Sequence, residues 1–286
     1  MWLIATLLFV FFAVIDQNPM DVFVDPRLSQ ATKMRIETQF GYDQSIGVQY
    51  LLFLKGCVTG QLGMSFVYKQ PVAQVLAPTM LRSLILGTIS VTIAVLGCLA
   101  WLSVMARSKS YRAKWVPVIL LVVPSLVWAV TTRWLLLTVF DWYPFASYTG
   151  GMFRWSIEAV IPALTLALPV SGYLALCLQA RLDEMDHMPF VIAAWGRGAS
   201  QQQILWRHKF RQLWPTAVQL LALHLPAIAG GSLVIECIFG FSGLGLLLVD
   251  AALGRDLPLL SAASLYVSAL GLLGYELGNV FQRRQS

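Results

Sequence analysis

Leu84-Ile-Leu-Gly-Thr-Ile-Ser-Val-Thr-Ile-Ala-Val-Leu-Gly-Cys-Leu-Ala-Trp-Leu-Ser-Val-Met-Ala106 runs for 23 residues without a charge. As a helix rising ~1.5 Å per residue it reaches roughly 35 Å, and the hydrocarbon core of a bilayer is ~30 Å thick. Five further apolar segments lie around it, at 1–15, 115–140, 159–180, 215–237 and 258–282. The 159–180 segment is also uncharged, and 115–140 carries only Arg133. Across all 286 residues, 58% are hydrophobic and 12% charged, with a mean hydropathy of +0.70. Soluble domains carry about a quarter charged residues, so this chain needs a solvent other than water. The fold class that follows is an all-α membrane protein of about six transmembrane helices. Pro117, Pro124, Pro162, Pro169 and Pro226 fall inside these spans, where neighbouring helices satisfy the carbonyls they free.

The 1–15 segment is the short one, about 22 Å as a helix. A signal peptide is the competing reading, but no basic residue precedes the apolar run and no A-x-A site precedes Asp16. A spanning helix extended by its polar neighbours is the favoured one. Residues 16–80 then form an external segment, punctuated by Pro26, Gly41, Gly56, Gly60 and Gly63. Within it 29–40 reads as a short amphipathic helix with Ser29 as N-cap. Residues 81–286 form a five-helix core interrupted by a long loop at 181–214.

Charge orients these spans. The loop 107–114 holds Arg107, Lys109, Arg112 and Lys114 without an acid, and 181–214 holds Arg181, Arg197, Arg207, Lys209 and Arg211 against three acids. With Arg283 and Arg284 these make eleven of the 20 basic residues, whereas 16–80 is balanced. The positive-inside rule places both termini and both basic loops in the cytoplasm. The net charge of +6 is therefore a topology signal, with lipid as the partner, and not a nucleic-acid footprint.

Catalytic motifs are missing. The sequence holds no GxxxxGK[ST], GxGxxG or HExxH and no nucleophile elbow, so ATP hydrolysis by a P-loop is not this chain's chemistry. Cys57, Cys98, Cys177 and Cys237 form no CxxC, and the last three sit in apolar runs as small hydrophobes. His187, His208 and His224 lie on different segments, which gives no metal site. His224 lies inside a span, where an interhelical hydrogen bond is favoured over a ligand role.

The 181–214 loop carries the most information. Ala193 and Ala194 are followed by Arg197 and Gly198, then Ser200, and a second helical set holds Ile204, Leu205, Arg207, His208 and Phe210 before Pro215. This spacing predicts helix, glycine break, helix, with Gly198 at a C′ position of positive φ and Ser200 as the next N-cap. A short exposed helix of small residues suits a partner's groove; an interfacial linker is the plainer reading.

This loop resembles the EAA loop of ABC-importer permeases in the dipeptide, oligopeptide and nickel branch. Ala193, Ala194 and Gly198 match its core, Arg197, Leu205, Arg207 and His208 fit the branch pattern, and Ile192 stands where the naming acid would be. The resemblance extends over roughly 19–275 through Gly41-Tyr-Asp, Val48-Gln-Tyr, Gly60-Gln-Leu-Gly-Met-Ser-Phe, Pro71-Val, Pro78-Thr and Pro162-Ala-Leu-Thr-Leu-Ala. It continues in Glu236-Cys-Ile-Phe, Gly243-Leu-Gly245 and Arg255-Asp256-Leu-Pro. The ends depart: basic residues before the first helix and an Asp-Pro-Arg tail are both missing.

The resemblance implies a type I ABC importer permease fold and a second homologous permease subunit. It further implies two ATPase subunits that bind ATP and Mg, and an extracytoplasmic substrate-binding protein. No cofactor is expected on this chain itself. Residues 193–198 would be its coupling helix. Glu236, Gly243, Gly245, Arg255 and Asp256 would shape an outer gate, with Glu236, at the unfavourable end of a helix dipole, paired to Arg255. Arg133 is expected to snorkel near the outer interface. An ion-coupled carrier or channel is the competing class, but such proteins place ionisable groups at the midplane, and the spans at 84–106 and 159–180 have none. A membrane enzyme lacks a catalytic constellation. The short 141–158 loop tilts the substrate toward oligopeptides, nickel or other metal chelates.

Overall fold

A computed structural model describes residues 3, 6, 7, 9, 10, 44–60, 62–106, 114–141 and 158–283. The expected helix at 29–40, the Gly41-Tyr-Asp motif, the loop 107–113 and nearly all of the 141–158 loop lie outside these residues. The described elements are helical: α1 (Ile46–Thr59), α2 (Val72–Met105), α3 (Trp115–Val122), α4 (Ser125–Thr138), α5 (Val160–Met185), α6 (Pro189–Gly196), α7 (Phe210–Phe239), α8 (Leu244–Leu253) and α9 (Leu257–Arg283). Between α6 and α7 a helical turn, Gln201–Gln203, runs into a π-helical segment, Ile204–Lys209. Among the described residues no strand occurs, and Met64 and Pro71 form an isolated antiparallel bridge.

Among the described residues three helices are long and apolar enough to cross a membrane: α2, α5 and the 258–276 part of α9. The 30 residues of α7 carry the expected 215–237 span and reach about 45 Å. Two expectations need correction. α2 begins at Val72, not at 84, because Arg82 and the polar positions before it end the apolar run without ending the helix. The expected single span at 115–140 is two helices bent by 91°. Val123 is extended (φ −75°, ψ 118°) ahead of Pro124, as steric conflict with the proline ring demands, and α4 restarts at Ser125. Of the expected first segment, the described positions 3, 6, 7, 9 and 10 are helical. There the Thr6 hydroxyl lies 2.6 Å from the Tyr50 hydroxyl, and the Phe9 ring packs 5.2 Å from the Tyr50 ring.

The described residues fall into two compact units, 1–82 with 242–269, and 83–241 with 270–286. The first has a core in which Val72 and Leu76 of α2 meet Leu244 and Leu247 of α8 and Leu259 and Ala263 of α9. In the second, Ala94, Cys98 and Leu102 of α2 pack on Leu174, Leu178 and Leu182 of α5. Cys98 is thus a core hydrophobe, and Cys98 and Cys177 are free thiols. α3 crosses α5 so closely that a Cβ on Gly172 would sit 2.5 Å from the Pro117 carbonyl oxygen and 2.9 Å from the Leu121 nitrogen. Only glycine permits that approach.

Candidate functional site

The 181–214 loop is built from local rules. Pro189 opens α6 at a position whose amide has no helical acceptor. Gly198 closes it at φ +75°. The Ala199 amide donates to the Ala194 carbonyl at 3.2 Å and the Gly198 amide to the Trp195 carbonyl at 2.9 Å, the paired bonds of a Schellman turn. Ser200 then caps the next helix: its hydroxyl accepts from the Gln203 amide at 3.3 Å, and the Gln203 side chain accepts from the Ser200 amide at 2.9 Å. The expected helix, glycine break and N-cap are all present.

Orientation separates the two alanines. Ala194 is 1% exposed and packs with Val191 and Ile204, whereas Ala193 is exposed. The outward face of α6 presents Ile192 (58% exposed), Ala193, Trp195 (44% exposed) and Gly196, with Arg197 beside them. Leu205 is buried in the core with Met185 and Leu213. Arg207 is exposed and His208 half-buried. Trp206, Phe210 and Trp214 form a ladder of rings 5.1 and 6.5 Å apart along one side of the π segment and α7. Such aromatic groups sit at the level of lipid headgroups.

Sequence reasoning treated Lys209 only as a topology charge. Its ammonium is buried, donating to the Asp186 carboxylate at 2.6 Å and to the Leu182 carbonyl at 3.2 Å. The signal was present in the spacing, since Leu205, Lys209 and Leu213 recur on one helical face.

In the second unit, Glu236 is fully buried in the last turn of α7, where its Oε1 accepts from the Ser83 hydroxyl at 2.7 Å. Its carbonyl accepts from the Phe241 amide at 2.8 Å across Gly240, φ +65°.

In the first unit, Gly243 is the extended N-cap of α8 and Gly245 is buried within it. α8 ends in another Schellman turn: the Asp256 amide donates to the Ala251 carbonyl at 2.8 Å and the Arg255 amide to that of Ala252 at 3.2 Å. Here the left-handed residue is Arg255, φ +51°, with its side chain exposed. Asp256 is fully buried and caps α9 by accepting from the Leu259 amide at 3.2 Å. Its other oxygen accepts from the Ser65 hydroxyl at 2.5 Å and the Val67 amide at 3.1 Å, so one carboxylate fastens the 62–71 hairpin to the start of α9. Burial, then the charges of Asp250 and Asp256, push the Tyr68 hydroxyl up from its ordinary pKa, which keeps it a neutral phenol. Arg82 also closes on this segment, donating to the Ser242 carbonyl at 3.2 Å.

Residues 94–286, which include this loop and the 236–256 segment, match the binding-protein-dependent transport system inner membrane component family. The chain belongs to that family. A Brucella abortus protein named for a peptide transport system permease is 30% identical over 277 residues, covering 94% of this chain and 88% of the relative. The oligopeptide transport system permease protein AppB of Bacillus subtilis is 26% identical over 285 residues, covering 95% and 89%. The glutathione transport system permease protein GsiC of Salmonella typhi is 27% identical over 273 residues, covering 93% and 87%. As an inner membrane component of a binding-protein-dependent ABC transport system, this permease subunit is an all-α, multi-pass membrane protein that works with other components. The resemblance of the 181–214 loop to permease loops is thus matched by similarity over nearly the whole chain.

Proposed function

We propose that this permease subunit forms half of a translocation path for peptides, with α6 as the coupling helix that seats on one of two ATPase subunits. A homologous permease would supply the other half of the path, and a substrate-binding protein would deliver cargo from outside. The observation that carries this reading is the two-sidedness of α6. One face is fixed to its own chain through Val191 and Ala194, and the other presents Ile192, Ala193, Trp195 and Gly196 outward ahead of the Schellman turn at Gly198 and the Ser200 cap. A helix anchored along one face and closed by a hydrogen-bonded turn transmits a push as a rigid element. ATP-driven closure of the ATPases would displace α6 and rock the spans between inward-open and outward-open states. The lysine and arginine excess supports a cytoplasmic position for this loop and for both termini.

The substrate class rests on the relatives, which are named for peptides, oligopeptides and glutathione. The proposal extends to outer-gate roles for Glu236 and for Gly243, Gly245, Arg255 and Asp256. A left-handed arginine where glycine is usual supports a role for that side chain, because strain of this kind collects at functional sites.

The test is Ile192→Glu combined with Trp195→Glu in the complete transporter. Membrane insertion should be unchanged, while ATPase subunits should no longer copurify and peptide uptake should vanish. Normal copurification and uptake would return α6 to the status of an interfacial linker.

A further inference from the structure

A lysine on the buried stripe of a helix needs a reason, since an ammonium group leaves water only for strong partners. Leu205, Lys209 and Leu213 share that stripe, and both leucines belong to the core formed with Leu182 and Met185 of α5. The Lys209 side chain is 8% exposed. It lies at the C-terminal end of α5, where the last carbonyls lack helical donors and the dipole favours a cation. There it donates to the Leu182 carbonyl at 3.2 Å and to the Asp186 carboxylate at 2.6 Å. A lysine serving topology alone would extend its ammonium into solvent, and this one does the reverse.

Lys209 is also the last residue of the π-helical segment Ile204–Lys209. The first residue of that segment, Ile204, packs on Val191 and Ala194 of α6, and the next, Leu205, packs in the α5 core. The six residues therefore touch the coupling helix at one end, α5 along the side and α7 by continuity. A π turn carries one residue more than an α turn, a strained insertion that occurs often at functional sites.

We propose that Lys209 is a positioning residue that latches the π-helical turn to the end of α5, so that displacement of α6 moves α5 and α7 together. Without the latch the turn can relax toward α-helical geometry and absorb the displacement of α6 within the loop. This inference rests on the proposed seating of α6 on an ATPase.

The experiment uses proteoliposomes holding the complete transporter and measures peptide uptake and ATP hydrolysis in the same preparation. Lys209→Met should retain its ATPase subunits and hydrolyse ATP, while uptake per ATP falls roughly fivefold or more, the range of a coupling energy between sites. Asp186→Asn, which leaves the Leu182 bond in place, should show a smaller fall in the same ratio. A parallel loss of uptake and hydrolysis with an unchanged ratio would show that Lys209 only holds the fold, and would overturn the latch. If Lys209→Met fails to insert, Asp186→Asn decides, because its carboxylate is half-exposed; an unchanged ratio there overturns the proposal equally. Failure of the underlying reading is distinct. ATPases that never copurify with the wild-type chain would remove the seating of α6, and the latch with it.

Discussion

The turn after α6 and the turn after α8 use the same backbone device for opposite ends. Each closes a helix with paired Schellman bonds through a left-handed residue and opens the next with a side-chain N-cap. After α6 the left-handed residue is Gly198, and the cap is Ser200, paired with Gln203 inside the turn. After α8 the left-handed residue is Arg255, the cap is the buried Asp256, and the carboxylate reaches away to Ser65 and Val67. The first arrangement leaves the outer face of α6 exposed. The second ties a hairpin down and holds an arginine side chain out of an unfavourable backbone. The same backbone device thus leaves a helix face exposed in one turn and fastens a hairpin in the other, and the residue types show which.

The largest effect is expected at Asp256. Asp256→Ala leaves the Ser65 hydroxyl and the Val67 and Leu259 amides without their acceptor, at about 1–3 kcal/mol for each group that stays unpaired. A total loss of about 3 kcal/mol or more should lower the unfolding midpoint of the purified protein and open the 62–71 hairpin to protease. A midpoint matching wild type would show that the turn after α8 is not fastened by this carboxylate.

A smaller loss is expected at Gly198. Nothing lies within 4 Å of a Cβ built there, so Gly198→Val clashes with no neighbour and its cost is backbone strain alone, about 1–2 kcal/mol. Because that strain falls on the helix proposed to couple to the ATPase, uptake should collapse while insertion and expression remain near normal. Wild-type uptake would show that the α6 turn does not matter to coupling.

Arg255 should show the smallest effect and the opposite sign. Arg255→Gly removes the left-handed penalty and should stabilise the turn by about 1 kcal/mol, seen as a raised unfolding midpoint, while transport declines. A more stable variant with full transport would deny the arginine any gating role, and an unstable one would mean the side chain is structural.

Much of this was legible in the residues. The uncharged run 84–106 placed the chain in a membrane, and Gly198 followed by Ser200 marked both caps, since positive φ and N-capping are local properties. What stayed hidden depends on neighbours. Ala193 and Ala194 are alike as residues, and only the packing of Val191 and Ile204 distinguishes the outward one from the inward one. A charge count cannot separate a lysine in solvent from one clamped to α5, although the spacing of Leu205, Lys209 and Leu213 held the clue. The break at Pro124 was written in the steric rule for the residue before proline. The apolar run continues through it and masks the break. Helix α2 starts at Val72 because hydrogen bonding outlasts hydrophobicity, and an apolar run marks only the part that meets lipid.

The seating of α6 is tested most directly by the adjacent alanines themselves. Single cysteines at 193 and 194 would be placed in a background lacking the native thiols, within the complete transporter, and treated with a short cross-linker to the ATPase subunits. The account predicts that Ala193→Cys joins this chain to an ATPase, in a yield that changes with bound nucleotide, while Ala194→Cys, facing Ile204, does not react. Cross-linking from position 194 alone, or from neither position in an assembled and active complex, would contradict it.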